Sequence, residues 1–188
     1  MTDRLPPIPA DKMTEAQKKS VADIVSGPRG RVVGPFNVML RSPEFMDRAQ
    51  KLGEYLRFRC VLGEKLKELV ILVTARNWSQ QFEFTAHGPI AIKAGLDPKI
   101  VEAIADGRRP DRMDDDETLV HDFCTEMFRR GMSVSDSTYE RALARFGEQG
   151  VVEMVGVSGY YTMLAMLMNV ARTALPEGAT PPLTPYPG

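Results

Sequence analysis

Apolar positions recur at helical spacing along almost the whole chain, and local start and stop signals divide the pattern into eight predicted helices. The first of these begins with a capping box formed by Thr14 and Gln17. No segment with the alternating pattern of a good strand is left over. The sequence therefore predicts an all-α fold, a compact bundle of about eight helices. Seven of the predicted helices cover residues 14–26, 42–56, 63–77, 79–95, 97–107, 135–147 and 150–175. The remaining helix follows the acidic residues 114–116, and residues 27–37 form a predicted loop.

Two of the predicted helices are unusually apolar. The helix at 63–77 contains the run LVILVTA (69–75), which could by itself be a buried strand, but Lys65 and Glu68 lie at helical spacing and no breaker occurs before Asn77. This pattern favours a core helix. The helix at 150–175 is apolar on nearly all sides and rich in methionine. Because such a helix is buried in a core or in a subunit interface, we expect a homo-oligomer.

The two ends of the chain are rich in proline, whereas the middle is not. Proline lacks the N–H group that helices and central strands require, so both ends are predicted to be extended. The predicted organisation is an N-terminal arm at 1–13, a single helical domain at 14–175 and a C-terminal tail at 176–188. Such arms can lie across a neighbouring subunit, but a loose C-terminal tail is favoured.

Composition and charge exclude several classes of function. The 188 residues include 43% apolar and 26% charged residues, and 24 basic side chains almost balance 25 acidic ones. This balance argues against a nucleic-acid binder or a polybasic membrane-surface protein that works by bulk charge. Because the N-terminal residues have no apolar core, we expect no secretory signal, and we expect no apolar stretch of about 18 residues that could span a bilayer. Two cysteines make no disulfide framework, so we expect a cytoplasmic protein.

The candidate chemistry centres on one of the two histidines. His87 follows Glu83 by four residues, a spacing that puts both side chains on one face of a helix. A carboxylate there can fix the tautomer of the imidazole and make the pair a general acid or base. The plain alternative is an ion pair on the helix surface. Pro89 follows closely and is expected to kink or bulge the helix beside the histidine, although packing alone could require such a kink.

A second carboxylate, Glu68, lies among apolar residues in the preceding helix. A turn through 77–79 could fold Glu68 back toward Glu83 and His87, placing two carboxylates and one imidazole in a mostly apolar pocket. Apolar surroundings raise carboxyl pKa values, so one of the carboxyls could be protonated there. The alternative is that Glu68 faces solvent or pairs with Arg76. The other histidine belongs to an HxxC sequence at 121–124, which supplies too few ligands for a zinc site, and we expect no metal.

These residues lie in a stretch, ELVILVTARNWSQQFEFTAHGPIAIKAGL (68–96), that resembles the carboxymuconolactone decarboxylase family. Two further segments, 34–45 and 136–170, look like the N-terminal Gly-Pro loop and the C-terminal helices of that family. The resemblance implies the alkylhydroperoxidase D-like all-α fold and a homotrimer or hexamer with its site near subunit contacts. In the peroxidase branch, cysteines stand at the positions of Gln80 and Glu83. Because this chain lacks that pair of thiols, thiol peroxidase chemistry is disfavoured.

The decarboxylase branch instead resembles this chain in its glutamate at position 83 and its histidine at position 87. The resemblance therefore implies a cofactor-independent lyase that decarboxylates a small acidic, carboxymuconolactone-like metabolite of aromatic catabolism. In this hypothesis His87 donates the proton, Glu83 orients it, and Glu68 is a second acid/base or a structural partner. The alternatives are another acid–base enzyme, such as a hydrolase or isomerase of a related ring, and a non-catalytic oligomeric binding protein. The candidates for substrate contact are Arg76, Arg59, Trp78, Gln80, Phe36, Tyr160 and Tyr161.

Overall fold

The computed structural model describes residues 2–129 and 133–184, and these residues are helical with no strand, as predicted. A short 3₁₀ turn at Ala10–Lys12 precedes the α-helices. The helices are α1 (Glu15–Ser26), α2 (Pro35–Met39), α3 (Pro43–Phe58), α4 (Gly63–Asn77), α5 (Gln81–Lys93), α6 (Pro98–Ala105), α7 (Asp115–Phe128) and α8 (Asp136–Ala171).

Side-chain caps explain why several helices begin where they do. The capping box of α1 is present, with Thr14 accepting from the backbone N–H of Gln17 and the glutamine side chain accepting in return. An equivalent box at Asp114 and Glu117 begins α7. Asp97 caps α6 by accepting a hydrogen bond from the backbone N–H of Lys99. Because these signals are local, the sequence predicts these starts correctly.

The structure differs from the predicted boundaries at α2 and at the start of α5. Residues 35–39, within and just beyond the predicted loop, form α2. Ser79 does not begin α5, because its backbone lies in the left-handed region (φ 49°) and Gln80 is the N-cap instead. The predicted helix end at Gly147 is confirmed, because α8 consists of two helical segments that meet at a kink where Gly147 has non-helical backbone (φ 67°, ψ 176°), and glycine is the residue that fits there. Finally, α5 continues through Pro89 as a helix.

The chain forms two compact units. One comprises the residues up to Arg59 together with Met163–Ala174, and in it α3 packs against both α1 and α2. The other comprises Cys60–Thr162 together with the segment from Leu175, and in it α4 packs against α5, α6 and α7.

The second unit is organised around α4, whose residues from Leu66 to Arg76 are all buried. Burial on every side agrees with the predicted core helix and rules out the strand alternative. Its turn at Trp78 and the cap at Gln80 then reverse the chain into α5. The consequence for function is that polar side chains of α4 have protein on all sides and must find partners there.

The C-terminal segment is not loose in its described part, contrary to the tail favoured by the sequence. Leu183 is buried, its N–H donates to the side-chain oxygen of Gln81, and the Gln81 amide donates back to the Leu183 carbonyl. Thr184 donates its backbone N–H to the carbonyl of Ala105. Proline content signals extended backbone, but these bonds are made to residues distant in sequence, which composition does not reveal. The prolines at 185 and 187 lie outside the described residues.

Contrary to the expectation that no stretch could span a bilayer, α8 meets the criteria for a membrane span in its length and composition, with half of the relevant window buried in the structure. The core helix of a soluble protein passes the same test, so this is weak evidence for a membrane. The helix also exposes several large apolar side chains: Val152, Val155, Met166 and Val170.

Candidate active site

A direct contact between α4 and α5 brings Glu68 and His87 together. The Nδ1 atom of His87 lies 2.6 Å from Oε2 of Glu68, and the two residues are 7% and 1% exposed. The expectation that Glu68 folds back toward His87 is therefore confirmed, and the solvent-facing alternative is not. A short, buried bond between a carboxylate and an imidazole is a strong one, because solvent does not compete for either partner.

This contact defines which ring nitrogen is available for chemistry. An ionised carboxylate only accepts hydrogen bonds, so an ionised Glu68 places the His87 proton on Nδ1. Among the described residues, none forms a hydrogen bond with Nε2. The neutral ring therefore presents Nε2 as its basic nitrogen, and the protonated ring presents it as an acid.

A buried lysine adds a third member that the sequence analysis missed. The Nζ atom of Lys67 lies 3.6 Å from Oε1 of Glu68, and the lysine side chain is buried. Lys67, Glu68 and His87 therefore form one buried polar cluster in which Glu68 lies between the lysine and the imidazole. The one available signal was a lysine inside a predicted core helix, since lysine is almost never buried without a partner.

Glu83 is placed differently from the prediction that it orients His87. It is buried, its Oε2 atom has no hydrogen-bond partner among the described residues, and Glu68 takes the bond to the imidazole. Burial raises the pKa of Glu83 well above its ordinary value. Burial therefore favours the neutral carboxylic acid form of Glu83, which lies four residues before His87 on the same helix.

Aromatic residues of α8 lie beside the histidine. The ring of Tyr161 meets the His87 ring edge to face, with 5.1 Å between centroids and 88° between planes. Tyr160 packs in the same way on Tyr161, at 5.5 Å. Trp78 donates its indole N–H to the hydroxyl of Thr162 at 3.0 Å. Of the predicted aromatic wall, Tyr161 is the residue that touches the acid–base pair.

Gln80 and Arg76 have structural contacts that the prediction of substrate binding did not include. The side-chain oxygen of Gln80 accepts from the backbone N–H groups of Phe82 and Glu83, and so caps α5. Arg76 donates to the carbonyl of Thr184 in the C-terminal segment. Both residues are buried.

The two remaining candidates, Phe36 and Arg59, belong to the other compact unit. The guanidinium of Arg29 lies 4.7 Å from the centroid of the Phe36 ring. The guanidinium of Arg59 lies 5.3 Å from the ring centroid of Tyr55. Each of the two residues thus takes part in a cation–π contact. The role of Phe36 and Arg59 in substrate binding stays a prediction.

The two thiols are in surroundings that oppose thiolate formation. Burial raises the pKa of Cys124 to about 12, and burial is also the main cause that raises the pKa of Cys60 to about 11. Both groups are therefore protonated thiols at neutral pH. Among residues 2–129 and 133–184 there is no group of three His, Cys, Asp or Glu side chains placed to hold a metal ion.

Comparison with known proteins identifies the fold. No family model matches the sequence, and no curated protein does. A solved structure of an uncharacterized peroxidase-related protein from Silicibacter sp. TM1040 is similar, with a TM-score of 0.77 and 16% identity over 94% of each chain. A second, an alkylhydroperoxidase AhpD core described as an uncharacterized peroxidase-related protein from Ralstonia eutropha JMP134, has a TM-score of 0.75 and 12% identity. It covers 93% of this chain and 92% of its own.

At these sequence identities the two structures support the arrangement of the helices, but they give no evidence about the chemistry of the site. The agreement extends over nearly the whole of each chain. The protein thus has the alkylhydroperoxidase D-like fold that the sequence resemblance implies.

Proposed function

We propose that the protein is a cofactor-independent carboxy-lyase in which the Glu68–His87 pair is the acid–base centre. The proposed substrate is a small acidic metabolite of the carboxymuconolactone type. The observation that carries the proposal is the 2.6 Å bond between Glu68 Oε2 and His87 Nδ1 in a buried setting. A histidine held by a carboxylate at one nitrogen is arranged to transfer a proton with the other.

The proposed reaction needs no electron sink from the protein. When the bond between the substrate carboxylate and its ring carbon breaks, carbon dioxide leaves and the electron pair moves into the unsaturated lactone as an enolate. His87 then delivers the proton from Nε2 to carbon and regains one from water. Glu68 stabilises the imidazolium during this cycle, and Lys67 lies beside the Glu68 carboxyl group.

Glu83 has a separate role in this mechanism. Because burial favours its protonated form, Glu83 can donate a hydrogen bond to the lactone carbonyl oxygen, where negative charge develops. A neutral acid suits this position better than a carboxylate, which would repel the enolate. This assignment replaces the predicted orienting role of Glu83, which Glu68 fulfils instead.

The surroundings proposed for this reaction follow the sequence resemblance. We propose a homotrimer or hexamer in the cytoplasm, acting in the catabolism of aromatic compounds, with the site near subunit contacts. The exposed apolar side chains of α8 support assembly, because a monomer in water rarely leaves so many uncovered on one helix.

A thiol peroxidase is the competing function, since both similar structures are described as peroxidase-related. Thiol chemistry begins with a thiolate, but the pKa values of Cys60 and Cys124 are about 11 and about 12. The positions of the redox cysteines in the peroxidase branch are occupied here by Gln80 and Glu83. These observations favour acid–base chemistry over the peroxidase.

The proposal is tested by measuring carbon dioxide release from a panel of carboxylated unsaturated lactones. We expect turnover by the wild type, a fall in kcat of about 10²–10⁴ in His87→Ala, and no change in the control Glu148→Gln, which alters an exposed glutamate of α8. The double variant Cys60→Ser/Cys124→Ser should retain its activity. Peroxide reduction that requires a dithiol and is abolished in this double variant would instead establish the peroxidase.

A further inference from the structure

A second concave site lies in the same unit, away from the acid–base pair. It is a cavity of about 350 Å³ at the C-terminal ends of α4 and α7 and the turn that follows α6. Neither Glu68, Glu83 nor His87 is among the described residues that line it. Its volume is within the range of sites that bind small molecules.

The lining of this cavity is strongly basic. Four arginines contribute to it, Arg76 from α4, Arg108 and Arg109 from the turn, and Arg129 from the end of α7. No carboxylate is found among the described lining residues. Arginines that come from three segments of the chain can bind one anion from several sides, and their planar guanidinium groups suit carboxylates.

The turn after α6 fixes two of these arginines. Gly107 has a φ of 73°, in the left-handed region, and its N–H donates to the carbonyl of Ile104. The N–H of Arg108 donates to the carbonyl of Ala103, which completes a Schellman motif. Side-chain carboxylates then hold the arginines: Asp106 lies 2.9 Å from the Arg108 guanidinium, and Asp122 binds Arg109 through both oxygens.

A buried histidine lies in the same lining. His121 is 7% exposed, and its Nδ1 atom is 3.5 Å from Oδ1 of Asp122. Burial is the largest influence on its pKa and lowers it; Arg109 and Arg129 lower it further, whereas Asp122 acts in the opposite direction. The neutral imidazole adds a hydrogen-bonding group to the same lining as the four arginines.

Together with the polar Asn77 and Thr125, three apolar side chains also line the cavity: Val73, Ile104 and Phe128. An inorganic anion would leave these side chains without a partner, whereas an organic acid would cover them with its hydrocarbon body. We infer that this cavity is a second binding site, which takes a small organic dicarboxylate with its carboxylates on the arginines. Binding here is independent of the proton transfer proposed for His87.

The test is isothermal titration calorimetry of the full chain in a chloride buffer with phthalate, which carries two carboxylates on an apolar ring. We expect saturable binding with one phthalate per chain. Arg108→Gln and Arg129→Gln should each weaken it at least tenfold, the factor expected for losing one hydrogen bond between charged groups. Arg108→Lys, which retains the charge but loses the fork, should weaken it less.

Matched controls separate this site from general charge effects and from the acid–base pair. Arg31→Gln removes one positive charge from an exposed position of the other unit and should leave the affinity unchanged, as should His87→Ala. Dimethyl phthalate, which has no charge, should not bind, and inorganic phosphate should bind at least tenfold more weakly than phthalate. Absence of saturable binding, equal losses in Arg31→Gln and Arg108→Gln, or loss in His87→Ala would overturn the inference.

Discussion

At the residue scale, the Glu83 carboxyl group shows how burial changes the pKa of an acid and, through it, the pH dependence of stability. Its carboxyl is buried, its Oε2 atom makes no hydrogen bond to any described residue, and its pKa is raised by burial. In the unfolded chain the same group ionises near its ordinary pKa of 4.5. Between that value and the raised pKa, the folded chain binds a proton that the unfolded chain has released. The free energy of unfolding therefore declines as pH rises through this window.

This sign leads to a prediction for Glu83→Gln, which removes the titrating group and retains its shape. The stability of the variant relative to the wild type should increase from pH 5 to pH 8, by up to about 1.4 kcal/mol per pH unit until the raised pKa is reached. Urea unfolding at several pH values measures this difference. The control Glu148→Gln should show a flat difference. Parallel curves for Glu83→Gln and the wild type would mean that Glu83 is ionised in the folded protein.

The sequence predicted the members of the acid–base site better than their pairing. The positions of Glu68, Glu83 and His87 followed from helical spacing and from the family resemblance. The i, i+4 rule, however, describes one helix and cannot decide between a partner on α5 and one on α4. The choice is made by packing between the two helices, which places Glu68 against the imidazole. Lys67 escaped attention because a lysine is usually exposed, whereas here it faces the Glu68 carboxylate.

At the scale of the elements, the turn between α4 and α5 determines where the site begins. The side chain of Gln80 accepts from two backbone N–H groups at the start of α5, one of them belonging to Glu83. Gln80→Ala removes this cap and should lower the free energy of unfolding by about 1 kcal/mol. Gln80→Glu retains an accepting oxygen and adds a charge that the helix N-terminus favours, so it should lose less.

Chemical denaturation of these two variants and the wild type checks this expectation. Equal losses in Gln80→Ala and Gln80→Glu would show that the amide donor of Gln80, and not its accepting oxygen, matters at this position. Most helix starts were predictable because caps are local in sequence. The start of α5 was not, because glutamine is an uncommon N-cap and Ser79 was the stronger local signal.

At the scale of the whole molecule, the fold was predictable and the C-terminal segment was not. Periodicity and caps define helices from neighbouring residues, and the eight α-helices together match the alkylhydroperoxidase D-like fold. The hydrogen bonds of Leu183 to Gln81 and of Thr184 to Ala105 join residues far apart in the chain. Local sequence patterns carry no information about such contacts.

The oligomer is the expectation that belongs to this scale. Val152 on the apolar helix α8 is 69% exposed. A large apolar side chain with this exposure is a candidate for burial in a contact between subunits. Light scattering coupled to gel filtration should give a mass of at least three chains of 20.9 kDa. Val152→Glu should reduce this mass, while Val25→Glu, a matched change on α1, should not. A monomer at micromolar concentration would contradict the expectation.

The central claim is that Glu68, and not Glu83, holds His87 with its proton on Nδ1. Nitrogen NMR of protein labelled with ¹⁵N-histidine reads the protonation of each ring nitrogen, and this chain has two histidines to assign. At pH 8 we expect His87 to carry its proton on Nδ1 in the wild type and in Glu83→Gln, and to lose that preference in Glu68→Gln. A His87 with its proton on Nε2, or one disturbed by Glu83→Gln and indifferent to Glu68→Gln, would contradict the account.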